Sequence, residues 1–261
     1  MFQPLKFTNS GHIFIDSDDN PQIIASMLDF ISYREEFCLA LDFSPPFIAR
    51  LMAAGFLVMS IIPEDEPDGK TILLPEMHLQ RSVLFFDKLH ESRTAKRLIP
   101  RYELKTGGLG REAEEPALFD MVLERCAQVH GEDWLTPALR RSFHALYRAQ
   151  SSEVRGRSRG TPRQETYPRT RMAAFGLYRG GRLVAGEFGA AVGRVYTSYS
   201  GYKEEDSAGT VQLVLAGRRL RDCGFAFWDL GMLLPYKERL GAQALDRGKF
   251  LELFHEAQLP P

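Results

Sequence analysis

Apolar residues recur at helical spacing over Ile23, Ile24, Met27, Leu28 and Ile31, directly behind Asn20-Pro21. That pair reads as a capping side chain followed by proline at the first helical position, so a helix is expected to open there. The same reasoning predicts a helix from Ser44-Pro45 to Gly55 carrying Ile48, Leu51 and Met52. Others are expected over Pro116–Val129, with Leu118, Phe119, Val122 and Leu123 as its stripe, and over Ala138–Ala149 behind Thr136-Pro137. Val211, Leu213, Val214, Leu215 and Leu220, closed by Gly224, mark a further helix. Arg247–Gln258, with Phe250, Leu251 and Leu253, marks the last.

Strand patterns lie between these helices. Met1–Ile15 reads as a short strand or extended arm, and Leu39–Phe43 as a short apolar strand. Met172–Tyr178 and Arg182–Ala191 flank a hairpin turn at Arg179-Gly180-Gly181-Arg182. Val195–Tyr202 is rich in β-branched and aromatic residues. Phe225–Leu230 is a short apolar run that fits a buried strand with Asp229 at its end. Gly186, Gly189, Ala190 and Ala191 stand where bulky residues would normally fill a strand, which predicts a bulge or a close approach by other atoms.

Composition adds exclusions. The 261 residues are 44% hydrophobic and 26% charged, as in ordinary globular chains, with room for one sizeable core or two small ones. The net charge of −1 gives no global attraction to nucleic acid, so any RNA binding has to come from local patches. Three widely spaced cysteines, Cys38, Cys126 and Cys223, without CxxC, argue against a disulfide framework or a zinc site. No apolar run approaches the ~20 residues of a membrane span, and no signal-peptide layout opens the chain, so a cytoplasmic location is expected.

Two stretches are basic. Arg93, Lys96, Arg97, Arg101 and Lys105 form either a solvated face or a phosphate-contacting patch. Ser151–Thr170 is polar and holds Arg155, Arg157, Arg159, Arg163 and Arg169; it reads as a flexible insertion or a cationic arm. Pro63–Lys70 and Gly107–Glu115 read as loops.

An ordered set of motifs resembles the leucyl/phenylalanyl-tRNA–protein transferase family. Its L-V-G-G-x-Y-G stands here as Leu183-Val184-Ala185-Gly186-Glu187-Phe188-Gly189, and its G-R-V-F-F-G-E-S as Gly193-Arg194-Val195-Tyr196-Thr197-Ser198-Tyr199-Ser200. The family helix and its I-D-C-Q strand align without gaps on Thr210–Gly231, and S-L-G-A on Arg239–Ala242. Shorter matches are Leu41–Pro45, Ala54–Met59, Arg81–Phe85, Leu89–Arg93 and Trp134–Pro137.

The resemblance implies an α+β chain: a GNAT-like acyltransferase domain over 79–261, with the basic insertion at 151–170, preceded by a small α+β domain over 1–78. It implies a monomer that transfers an amino acid from aminoacyl-tRNA to the N-terminus of an acceptor protein, marking it for degradation, without cofactor or metal. Asp229 and Tyr199 fall on the catalytic motif positions. Trp134 and Met59 fall on walls of the aminoacyl-adenosine site, Met59 replacing a tryptophan. Glu187, Tyr196, Ser198, Leu213 and Leu220 fall on the pocket for the transferred side chain, and Arg93, Lys96 and Arg97 on a tRNA-facing patch.

Three departures bear on chemistry. The motif glutamate is Tyr199, the glutamine two residues beyond Asp229 is Gly231, and Glu187 replaces a methionine. A carboxylate on an apolar wall is costly unless paired, so an arginine or lysine donor is expected in place of leucine or phenylalanine, unless Arg182 or Arg194 pairs with Glu187. Strand alternation puts Leu183, Ala185 and Glu187 on one face. The competing readings are a non-catalytic tRNA- or degron-binding homologue and an acyltransferase with another donor. Against acyl-CoA, Val211–Arg219 offers only Gly217 where a phosphate loop needs several free amides.

Overall fold

The computed structural model describes residues 4–64, 69–109, 115, 117–131, 133–155 and 170–259. Eleven strands and eight α-helices occur among them. In chain order these are β1 (Lys6–Phe7), β2 (Ile13–Phe14), α1 (Pro21–Phe30), α2 (Pro45–Ala53), β3 (Leu57–Ile61), β4 (Ile72–Glu76), β5 (Gln80–Leu84), α3 (Arg93–Leu98), β6 (Glu103–Gly107), α4 (Leu118–His130), α5 (Pro137–Arg155), β7 (Thr170–Arg179), β8 (Arg182–Val192), β9 (Val195–Lys203), α6 (Ala208–Asp222), β10 (Phe227–Asp229), α7 (Pro235–Leu240), β11 (Gln243–Asp246) and α8 (Arg247–Glu256).

The helices begin where short polar caps permit. Asn20 accepts from Gln22 N at 3.0 Å to open α1, and Ser92 Oγ accepts from Ala95 N at 3.1 Å to open α3. At α2 the cap side chain is not Ser44; Asp42 Oδ1 accepts the Ser44 N–H at 2.7 Å instead. Leu39–Phe43 makes isolated bridges only, with no strand of its own.

A seven-stranded sheet in the order β11-β5-β10-β9-β8-β7-β6 organises the chain. Every neighbouring pair in it is antiparallel except β9 and β10. Helices α1, α2, α4, α5 and α8 bury their apolar sides against one face, and α3, α6 and α7 theirs against the other. The protein is thus a mixed α+β layered structure. No strand before β5 enters this sheet; β1–β2 and β3–β4 form two separate ribbons.

One core cluster nevertheless runs from Ile13 and Leu28 through Phe56 to Phe250 and Phe254. Arg247 fastens the same region. Its buried guanidinium donates to Tyr33 O at 2.7 Å, Leu28 O at 3.4 Å, Glu35 O at 3.3 Å and Met77 O at 2.6 Å.

The expected irregularity in β8 is present: its register against β9 shifts between Phe188 and Gly189. A Cβ on Gly189 would fall 2.1 Å from Thr197 O, which only glycine tolerates. A second shift, against β7, falls between Leu177 and Tyr178 and skips Val184. Val184 and Ala185 therefore both pack on the α6 face, while Leu183 packs on the α4 face. This corrects the simple alternation: Leu183 does not share the face of Glu187. The basic insertion read at 151–170 lies outside the described residues, apart from the end of α5 and Thr170. No described helix is long and apolar enough to cross a membrane.

Candidate active site

The parallel pair β9–β10 is joined for three residues only, Val195 to Phe227, Tyr196 to Trp228 and Thr197 to Asp229. Beyond Thr197, β9 runs on to Lys203 while β10 stops. The sheet splays open at the carboxyl end of β10, a place where mixed sheets commonly receive ligands. Alternation sorts the residues around this splay. Asp229, Thr197 and Tyr199 face α5 and α8; Trp228, Tyr196, Ser198 and Glu187 face α6.

On the first face Asp229 is 0% exposed and Arg81, from β5, 1%. Arg81 Nε donates to Asp229 Oδ1 at 3.1 Å and its Nη2 to Oδ2. Thr197 Oγ1 donates to Oδ2 at 3.0 Å and Gly231 N to Oδ1 at 2.9 Å. Arg81 also reaches Gly55 O at 3.3 Å and lies 4.4 Å above the Phe250 ring. Each oxygen of Asp229 thus holds two hydrogen bonds, and no edge of the carboxylate is left for an incoming amine. Gly231 has φ +73°, and a Cβ there would press on Leu57 at 3.2 Å. Its small size serves the backbone N–H that Asp229 receives.

Tyr199 stands nearby. Its hydroxyl accepts the Val58 N–H at 3.2 Å, and burial pushes its phenol up. Its ring packs at 5.4 Å on Phe143 and stacks at 6.1 Å on Phe188, which stacks in turn on Trp134 at 6.4 Å. Met59, half-buried on β3, follows the Val58 that Tyr199 holds. Trp134 and Tyr199 are therefore gathered on the α5 face, apart from Glu187, with Met59 on the adjoining β3.

On the α6 face Glu187 is 4% exposed. Ser198 Oγ lies 3.3 Å from one carboxylate oxygen and 3.4 Å from the other, and it accepts the Trp228 indole N–H at 2.8 Å. Tyr196 and Gln212 also bear on this carboxyl, yet Tyr196 Oη and Gln212 Nε2 are buried without a hydrogen-bond partner among the described residues. Burial pushes Glu187 up to about 8. The cations proposed to neutralise it are elsewhere. Arg182 pairs with Glu204 and Glu205. Arg194 sits in the turn beyond Val192, and Val192 is itself roughly 17 Å along the strand from Glu187.

Of the other expected lining residues, Leu213 is half-buried beside Gln212 on α6. Leu220 lies two turns further, about 12 Å along the helix, buried against Trp228 and Leu240. Arg93, Lys96 and Arg97 are exposed on α3 with no ion pair among the described residues.

Two site residues, Gln212 and Lys237, escape sequence reasoning, and so does the role of a third, Arg81. Arg81 opens the Arg81–Phe85 motif match, but nothing in that stretch signals its pairing with Asp229. Gln212 and Lys237 sit in amphipathic helices, where a polar residue reads as solvent-facing. Among the described residues no group of three or more His, Cys, Asp or Glu could hold a metal ion. A groove of about 530 Å³, lined by Phe85, Asp87, Glu91, Arg221 and Phe225, lies apart from the splay.

Residues 83–255, well over half the chain, match the family model described as leucyl/phenylalanyl-tRNA protein transferase. A leucyl/phenylalanyl-tRNA–protein transferase of Pseudomonas putida (strain W619) is 28% identical over 186 residues, covering 69% of this chain and 70% of that protein. One of Azotobacter vinelandii is 27% identical over 187 residues, with coverages of 69% and 70%. The chain spans about two-thirds of the length of such relatives. Among solved structures, that of FemX aligns over 94% of this chain and 83% of its own at 8% identity, with a TM-score of 0.45.

Proposed function

The chain belongs to the leucyl/phenylalanyl-tRNA–protein transferase family, and from that premise we propose that it moves a cationic amino acid, arginine or lysine, from charged tRNA to the N-terminus of an acceptor protein, marking it for degradation. In this reading 79–261 is a GNAT-like transferase domain and 1–78 a smaller α+β unit. The observation that carries the donor assignment is Glu187, a buried carboxylate at the splay that forms no ion pair among the described residues. A guanidinium or ammonium on the donor supplies the paired cation, and the buried Tyr196 hydroxyl and Gln212 amide beside the carboxyl supply polar surroundings.

The reaction is aminolysis of an ester. The lone pair of the acceptor amine attacks the aminoacyl carbonyl, the C–N bond forms, and the ribose oxygen leaves with the electrons of the broken C–O bond. The ester is already activated, so the protein's work is alignment and charge stabilisation. Asp229 acts in this scheme as a positioning residue: with Arg81 it fixes the end of β10 and the Gly231 turn. Trp134, Tyr199 and Met59 form the wall for the aminoacyl-adenosine end. Arg93, Lys96 and Arg97 contact tRNA phosphates, so neutralising all three should weaken binding and flatten its salt dependence.

A competition assay with Arg-, Lys-, Leu- and Phe-charged tRNA and a model peptide tests the assignment. The wild type should favour the cationic donors by roughly 10²-fold, and Glu187→Met should reverse the order. Preference of the wild type for leucine or phenylalanine would remove the donor assignment. Binding of charged tRNA with no transfer would replace the enzyme by a non-catalytic RNA-binding protein.

A further inference from the structure

The transfer reaction must move a proton from the attacking amine to the departing ribose oxygen. Asp229 is the carboxylate nearest the strand end, and its oxygens already hold four hydrogen bonds. Lys237 is a second ionisable group at that end, carried by α7. After Asp229 the chain turns at Gly231 and returns as α7, which brings the Lys237 side chain, 6% exposed, back over the turn. Its Nζ donates to Leu230 O and, at 2.9 Å, to Met232 O.

These two carbonyls make a particular demand. An ammonium carries three N–H donors, and only two have acceptors among the described residues. A neutral amine carries two N–H donors and one lone pair. Two carbonyls satisfy it completely and leave the lone pair free to take a proton. The charged and titratable groups that bear on Lys237 are Asp229 on β10, Arg81 on β5, Glu187 on β8, His78 just before β5 and Tyr236 beside it on α7. Among the described residues, none of the acidic groups forms an ion pair with Nζ. Burial outweighs the attraction of Asp229 and brings the amine down to about 8, where a useful fraction is neutral near physiological pH. Met232, Leu233 and Tyr236, each exposed, rim the same turn, so a substrate at the splay meets Lys237 beneath them.

We propose that Lys237 is the proton acceptor of the transfer reaction, taking the proton released by the acceptor amine as its C–N bond forms and returning it to the ribose oxygen as the C–O bond breaks. The inference rests on the transferase reading above. Over the cycle Lys237 gains and loses one proton, and no oxidant, reductant or further reactant is needed.

The test uses the full chain, charged tRNA and an acceptor peptide with an N-terminal aminooxy group, which stays neutral through the working range. Any remaining pH dependence then belongs to the enzyme. Wild-type kcat should rise with pH to a plateau with a midpoint near about 8. Lys237→Met should lower kcat by about 10²–10³-fold, lose the midpoint and leave KM for aminoacyl-tRNA within about threefold. Lys237→Arg keeps a cation and donors for both carbonyls but cannot become neutral, so it should be as slow as Lys237→Met.

A wild-type profile that is flat from about pH 6.5 to 9.5 overturns the proposal without reference to any variant. Near-wild-type turnover by Lys237→Arg also overturns it, because a merely structural cation would then suffice. Absence of transfer from every charged tRNA removes the transferase reading and this inference with it. Transfer with a flat profile removes only the role of Lys237.

Discussion

Asp229 and Glu187 are two buried carboxylates at one splay of one sheet, on opposite faces, and they are provided for in opposite ways. Asp229 has a guanidinium, a hydroxyl and a backbone N–H on its two oxygens. Glu187 has one serine hydroxyl, the polar side chains of Tyr196 and Gln212 beside it, and no ion pair among the described residues, Lys237 acting on it only through space. A carboxylate supplied from within the fold is part of the scaffold. One that the fold leaves short is a vacancy for something brought from outside. Burial alone does not separate the two cases; the inventory of donors does.

The strongest way to break this contrast is to make Asp229 resemble Glu187. Arg81→Met strips the cation from a carboxylate that is 0% exposed and should destabilise the protein by about 3–5 kcal/mol in denaturant unfolding. Arg81→Met with Asp229→Leu should recover most of that loss. A single Arg81→Met variant as stable as wild type would show that the pair does not hold the strand end.

Asp229→Asn is gentler on the fold, since an amide keeps the size and one oxygen. It should lower transfer by at least about 10²-fold while KM for aminoacyl-tRNA changes little, and turnover near wild type in a folded variant would remove its positioning role.

Glu187→Met tests the other half of the contrast. Glu187 is raised from 4.5 to about 8 in the folded protein. The folded state therefore binds more protons than the unfolded state between those values, and stability falls as pH rises through that window. Glu187→Met removes the penalty. It should match wild type near pH 4.5 and be more stable by about 4 kcal/mol at pH 8, checked by unfolding at both pH values.

Ser198→Ala should have the smallest effect, about 1–2 kcal/mol, from the Trp228 indole left without its acceptor. It should also move the pH midpoint of donor binding upward, because Ser198 is the main group favouring the ionised form of Glu187. An unchanged midpoint would mean that Ser198 does not act on the carboxyl.

Much of the fold was readable because local chemistry and global packing agree. Asn20-Pro21, the hairpin at Gly180-Gly181 and the glycine stop at Gly224 each specify one backbone geometry. Leu39–Phe43 reads as a strand by composition, but strands need partners along their length and only bridges form there. In the opposite direction, β11 has no apolar alternation at all, and it exists because β5 offers it a hydrogen-bonding edge. The positions of Asp229 and Glu187 were legible from the motifs that carry them. Their partners were not. Arg81 lies 148 residues from Asp229, and no local pattern announces a pairing over that distance. Gln212 and Lys237 look like the wet sides of their helices until the sheet is in place.

The position of β5 in the sheet has a consequence for how the protein comes into being. β5 leaves the ribosome early, yet both of its neighbours, β10 and β11, come from residues 227–246. The backbone carbonyls of Leu28, Tyr33, Glu35 and Met77 likewise wait for Arg247. Vectorial synthesis can complete the β6–β9 meander as it emerges, but the two edges of β5 stay unpaired until nearly the whole chain is made. Arg81 cannot meet Asp229 before then. The end of the sheet that carries the candidate site is assembled last, by joining its earliest strand to its latest, so a chain cut short after α6 carries every motif up to the helix but lacks the Arg81–Asp229 pair.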